Sequence, residues 1–324
     1  AAHGTWQAAP DLPVRMNARL RGDDCGLQIA ELRMFEREAE ALRIEGRIPF
    51  VCGFLETGRL WHLSSSQSLE LDFALAPTPT LQRFGLERLG FTAADLRCGG
   101  SLSGTLDAPV GQVRVRASSL HALTNLPLAG WLPRVDNVDL TLQAGADHVR
   151  LDPARFDVEG APLSLSVALP VSRDFWMAAL RGAFKADPAN LSGSARLDGL
   201  PLGKLASGLV PELRPEGTLS ADLQLLGGWR WNGSVEFGGL GTRPLPLLGP
   251  VRDIHGRLAL HDRRAQLGGV AADIGGTTAR VEGWFDLPAA PWTEWKPPPF
   301  DIRLGGTQLA LVRQADLVIR GDVD

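Results

Sequence analysis

The chain has 324 residues, 44% of them hydrophobic, and a formal net charge of −4. That composition excludes a disordered chain, and the mild acidity supplies no basic field for nucleic acid.

In chain order the dominant signal is alternation with period two, the mark of strands with one apolar face. "LRMFEREAEAL" (32–42) holds good helix formers and also fits a strand, a charged turn and a strand; the clean alternation that follows it favours the hairpin. "ALRIEGRIPF" sets Leu42, Ile44, Ile48 and Phe50 against Arg43, Glu45 and Arg47. "SLELDFAL" gives Leu69, Leu71, Phe73 and Leu75. "NVDLTLQA" gives Val138, Leu140 and Leu142, and "PLSLSVAL" gives Leu163, Leu165, Val167 and Leu169. "GTLSADLQLLGG" (217–228) places Leu219, Ala221, Leu223 and Leu225 on one side, and Thr218, Ser220, Asp222 and Gln224 on the other. "ARVEGWFDL" gives Val281, Gly283, Phe285 and Leu287. "FDIRLGGTQLALV" gives Phe300, Ile302 and Leu304, then Leu309 and Leu311, and the last residues give Leu317, Ile319 and Val323.

Turns are expected at Gly268–Gly269, Gly275–Gly276, Gly305–Gly306 and Asp152–Ala154, which leaves strands mostly about five to eight residues long. Short connections favour antiparallel meanders. Four times a short apolar segment with Gly or Pro leads into an alternating strand, and two of these, "TLQRFGLERLGF" and "LPLGKLASGLVPELRP", suit one or two helical turns. Their irregular spacing argues against a tight solenoid. "PWTEWKPPPF" (291–300) reads as a loop between modules.

Three architectures accommodate half-apolar antiparallel strands: a β-sandwich, an outer-membrane barrel and an open curved groove. Aromatic residues at 6%, with no Tyr, and strands shorter than the ~9–11 residues that cross a bilayer speak against the barrel. Periodicity alone leaves sandwich and groove equally open.

"GGSLSGTLDAPVGQVRVRASSL" (99–120) resembles the recurrent module of TamB-like proteins, of the wider AsmA-like bridge-protein superfamily. There a G-x-L-x-G-T-L strand runs into a Pro, then a Gly and another alternating strand. "RVDNVDLTLQAGADHVRLDPARFDVEGAPLSLSVAL" (134–169) resembles the usual sequel, and "FDIRLGGTQLALVRQADLVIRGDVD" (300–324) is similar to the later repeats. The resemblance runs from about residue 25 to the end on degenerate Leu, Gly and Pro patterns.

It implies an all-β, elongated, repeat-built antiparallel sheet curved into an open hydrophobic groove, a β-taco, with few short helical turns. It implies a periplasmic segment of a diderm bacterium, anchored in the inner membrane through residues not present here. Such a segment would conduct phospholipid acyl chains to the outer membrane and support outer-membrane protein and autotransporter assembly with a BamA-like barrel partner. The groove lining would be Val138, Leu140, Leu142, Leu163, Leu165, Val167, Leu219, Leu223, Leu225, Leu309, Leu311, Leu317 and Ile319. A start without Met and an end inside an alternating pattern predict a fragment, one continuous array over 1–324 with module breaks near 77–98, 186–215 and 288–299.

Catalytic patterns do not emerge. There is no G-x-S-x-G elbow, Walker loop or G-x-G-x-x-G, so no enzyme activity and no cofactor are expected. Cys25, Cys52 and Cys98 are odd in number and lack metal-ligand spacing, so at most one disulfide forms. No apolar stretch approaches the ~18 residues of a membrane span, and no signal peptide is visible. His255 and His261 stand too far apart along one strand for a metal pair, and Asp147 and His148 are expected on opposite faces. Trp229 and Trp231 are expected to share a face, as sheet packing or as a sugar-binding surface. The alternative readings are therefore a structural or adhesive β-sandwich module and a carbohydrate-binding β-domain.

Overall fold

The computed structural model describes residues 2–7, 14–23, 26–53, 59–65, 67–78, 82, 90–122, 133–180, 188–205, 216–241, 251–287, 299–314 and 317–323. Strands account for 79% and helix for 5%, which makes the fold all-β and antiparallel. Among the described residues nineteen strands are laddered as sheet and two more form a separate hairpin.

The first part of the chain carries β1 (Ala2–Gln7), β2 (Val14–Asp23), β3 (Gly26–Glu36), β4 (Ala39–Ile48), β5 (Phe50–Gly53), β6 (Arg59–Leu63), β7 (Ser68–Leu75), β8 (Phe91–Ala94), β9 (Arg97–Thr105) and β10 (Ala108–Ala122). Next come β11 (Val135–Ala144), β12 (His148–Val158), β13 (Ala161–Pro170), the helix α1 (Arg173–Leu180), β14 (Ser192–Pro201) and a single helical turn α2 (Leu202–Leu205). The last part carries β15 (Glu216–Leu226), β16 (Trp231–Gly241), β17 (Val251–Asp262), β18 (Arg264–Ile274), β19 (Thr278–Asp286), β20 (Phe300–Gln314) and β21 (Leu317–Val323).

Two compact units emerge: residues 1–126, 137–154 and 168–187, and residues 127–136, 155–167 and 188–324. In the first, β1-β2-β3-β4-β7-β9-β10 pair in succession, and β8 extends the line of β9 along β10. In the second, β14 to β21 pair each with the next. Much of the expected break segments 77–98, 186–215 and 288–299, and most of "PWTEWKPPPF", lies outside the described residues.

The strands are longer than expected, most of them nine to twelve residues. Three expected turns do not break the chain: Gly268–Gly269 lies inside β18, Gly305–Gly306 inside β20 and Asp152–Ala154 inside β12. Gly275–Gly276 does turn, with both φ values positive, and Arg37–Glu38 turns between β3 and β4 as the charged hairpin predicts. The length argument against an outer-membrane barrel therefore falls.

The physical reason is the bulge. At Leu197–Leu200, Phe237–Leu240, Val251–Ile254 and Leu267–Val270 two flanking apolar residues stand three apart. One residue between each pair, Gly199, Gly239, Asp253 and Gly269, has φ between +48 and +63. The ladders shift register at these places. A bulge adds one residue, flips the side-chain phase and sharpens the local twist while the strand continues. A Gly-Gly pair meets this left-handed requirement as readily as it meets a turn's.

Interior glycines act differently. Gly233 (φ +128) and Gly46 (φ +133) face the backbone of the neighbouring strand so closely that a Cβ would collide with the carbonyl oxygens of Asp222 and Glu70. Such glycines mark close backbone approach and sheet bending.

Helix α1 was not expected. Ser172 caps it, its Oγ accepting from the Phe175 N–H at 3.4 Å, and good helix formers fill its second turn. Arg173 pairs with Asp107 in the β9–β10 turn. There Asp107 also accepts from the Thr105 hydroxyl, and both contacts hold its carboxyl below the usual carboxylate range.

Candidate apolar face

Register converts the alternation into rows. In the second unit Ala195, Leu223, Gly233, Leu260, Ala265, Phe285 and Phe300 stand directly opposite one another across seven strands. A second row is Leu197, Ala221, Val235, Leu258, Leu267, Gly283 and Ile302. A third is Leu200, Leu219, Phe237, Gly256, Val270, Val281 and Leu304, with Gly256 seated against Val270. Large residues alternate with Gly or Ala along the first row, so bulky side chains lean over small neighbours rather than clash.

The first unit repeats the pattern on five strands. Ile29, Gly46, Leu71, Leu102 and Gly111 form one row; Leu32, Ile44, Phe73, Gly100 and Val113 the next; Met34, Leu42, Leu75, Cys98 and Val115 the third. The opposite face is polar. Asp222, Gln224, Glu236, Arg257 and Gln266 are exposed there, and Arg257 pairs with Glu236 at 3.8 Å.

The apolar rows are mostly half-buried. The fully buried apolar set among the described residues contains no Phe, Trp or Met, and eight of its seventeen members are alanines. Among the described residues, large side chains therefore do not interlock into a sealed interior as two stacked sheets require. The polar face is the more exposed one, opposite to a barrel whose apolar side meets lipid outward.

The expected lining residues divide. Leu219 and Leu223 are half-buried on the seven-strand face, and Leu225 ends that face at 8% exposure opposite Trp231. Along β11, Val138 is buried, Leu140 half-buried and Leu142 40% exposed. Leu165 and Val167 are half-buried. Leu163 packs against a closed cluster of Val158, Ala161 and Leu200, and Leu309 is 2% exposed, folded over Gly306 of its own strand. Leu309 is thus buried, while Leu163 is half-buried beside Leu197 and Leu200 of the apolar rows. The side chains of Leu311, Leu317 and Ile319 lie outside the described residues.

The expected list omits most of the seven-strand face. Val235, Phe237, Leu258 and Leu260 on β16 and β17 are as central as Leu223. The same two-residue period would have found them, but Gly233, Gly239 and Gly256 interrupt it. At β20 the face opens: Phe300, Ile302 and Leu304 are 63%, 47% and 41% exposed.

Two polar expectations are corrected. Asp147 and His148 do meet, Oδ1 to Nδ1 at 2.6 Å, because Asp147 sits in the turn before β12 rather than in strand phase. This contact lowers the Asp147 carboxyl. Trp229 lies in the turn before β16 with φ +58, so it does not share a strand face with Trp231.

Among the described residues no group of three or more His, Cys, Asp or Glu is arranged to hold a metal. Cys98 is a free, half-buried thiol that burial pushes up in pKa. The side chains of Cys25 and Cys52 lie outside the described residues. Among the described residues no helix is long and apolar enough to cross a membrane.

Comparison with known proteins gives no protein family, no curated protein and no solved structure that matches this chain.

Proposed function

We propose that the chain is a non-enzymatic, lipid-conducting segment whose apolar face carries phospholipid acyl chains. It would act in the periplasm between inner and outer membranes, in the manner of TamB-like bridge proteins and with an outer-membrane barrel partner. The observation that carries this reading is the set of three half-buried apolar rows crossing β14 to β20. The resemblance of residues 99–120, 134–169 and 300–324 to TamB-like modules supports it.

Chemistry supports it too. An eleven-residue strand spans roughly 36 Å, more than the ~15 Å hydrocarbon half of a bilayer. Sixteen carbons fully shielded from water gain roughly 12 kcal/mol, so even one-sided shielding at about half that value retains a chain. The contacts repeat from strand to strand, so a chain can slide from one position to the next.

Mass spectrometry of the purified chain tests the proposal. It predicts co-purified phospholipid, and a marked loss of it in Leu223→Arg. Lipid-free protein, or equal lipid in wild type and variant, would sink it.

A further inference from the structure

The first unit holds an open cavity of about 410 Å3. Its floor includes Ala74 and Gly99, which stand directly opposite each other and have little or no side chain. Three arginines are among its lining residues: Arg97, Arg114 and Arg116. Arg97 and Arg116 are directly opposite on β9 and β10. Like charges so placed, with Cβ atoms ~5 Å apart, destabilise a sheet.

The nearby carboxylates offset that repulsion only in part. Asp139 binds Arg114 through two hydrogen bonds of 2.8 and 2.6 Å and stands 3.6 Å from Arg116. Glu40, also in the lining, stands 3.6 Å from Arg33. Among the described residues no carboxylate pairs with Arg97. Arg114 is thus fixed, while Arg97 and Arg116 keep most of their donors free over a hollow that Ala41, Ala74, Ala76 and Gly99 line together with Leu42, Leu75 and Cys98. Guanidinium groups recognise phosphate bidentately, and a cavity this size admits a phosphate together with a substituent.

We propose that this cavity binds a phosphate-bearing anion, with Arg97 and Arg116 as its donors and Arg114, locked on Asp139, as their positioning neighbour. Its arginines alternate in strand phase with Cys98 and Val115 of the third apolar row, and their binding of an anion does not depend on the rows carrying lipid.

The test titrates the full chain with inorganic phosphate and glycerol 3-phosphate by calorimetry. In parallel it floats the chain with phosphatidylcholine vesicles, with and without phosphatidic acid. The proposal predicts saturable binding in at least one arm, weakened about tenfold or more by Arg97→Gln or Arg116→Gln and unchanged by Arg280→Gln on β19. Binding to soluble phosphates alone identifies a soluble ligand; binding to phosphatidic-acid vesicles alone identifies a lipid headgroup. A thermal scan adds an independent readout: in phosphate-free buffer Arg97→Gln raises the midpoint by relieving repulsion, and phosphate no longer raises it further. No binding in any arm, undiminished binding by both variants, or a lowered midpoint for Arg97→Gln overturns the proposal.

Discussion

Replacing Leu223 with arginine puts a charge at the centre of the apolar face. Leu223 stands between Ala195 and Gly233 in its row, with Leu260 one strand further on. Fully burying a leucine contributes about 1.5–3 kcal/mol; Leu223 is half-buried, so the loss is about 1–1.5 kcal/mol. The arginine stem lies over Gly233, which offers no side chain to clash with, and carries its guanidinium to water. The variant is therefore expected to fold, with its unfolding free energy lowered by that amount, read as a lower urea midpoint at unchanged m-value. Beneath a second sheet the same charge would be sealed and unpaired, at about 3–5 kcal/mol. A loss in that range, or failure to fold, would refute the open face and favour the sandwich.

Other substitutions test the local physics. Gly233→Ala places a Cβ against the Asp222 carbonyl at a φ of +128, and should cost about 3 kcal/mol by urea unfolding. Gly269→Ala meets open space but keeps a φ of +61; it should cost only about 1 kcal/mol, and Gly269→Asn less, because asparagine tolerates the left-handed region. The Arg114 hydrogen bonds lower the Asp139 carboxyl below its ordinary value of 3.8. Its contribution to stability is therefore present above that pH and lost as pH falls through the lowered folded-state value. Asp139→Asn should flatten that acid limb in a pH series of thermal midpoints.

Strand identity was legible wherever alternation ran unbroken. β7, β11 and β15 carry their apolar residues as the two-residue period requires, and the hairpin at Arg37–Glu38 followed from the clean alternation of the strand after it. Strand extent was not, because a bulge and a turn ask for the same residues. Gly268–Gly269 would end a strand or kink one, and the distinguishing sign is Leu267 and Val270 three apart across it. Helix α1 carried its own signal in Ser172 and the run Met177–Leu180, overshadowed by the strands on either side. The apolar face was legible strand by strand, as in Leu219, Leu223 and Leu225. Its rows were not, since which residue stands opposite which depends on long-range register. Leu309 shares the same alternation yet is buried, folded over Gly306 of its own strand.

The most direct measurement places a photo-crosslinking residue at position 223, with position 224 as control, and identifies the attached molecules by mass spectrometry. Leu223 lies on the apolar face and Gln224 on the exposed polar one. The account predicts phospholipid crosslinked at 223 and not at 224. Protein-only crosslinks at 223 would contradict it and would mean that another sheet covers the face.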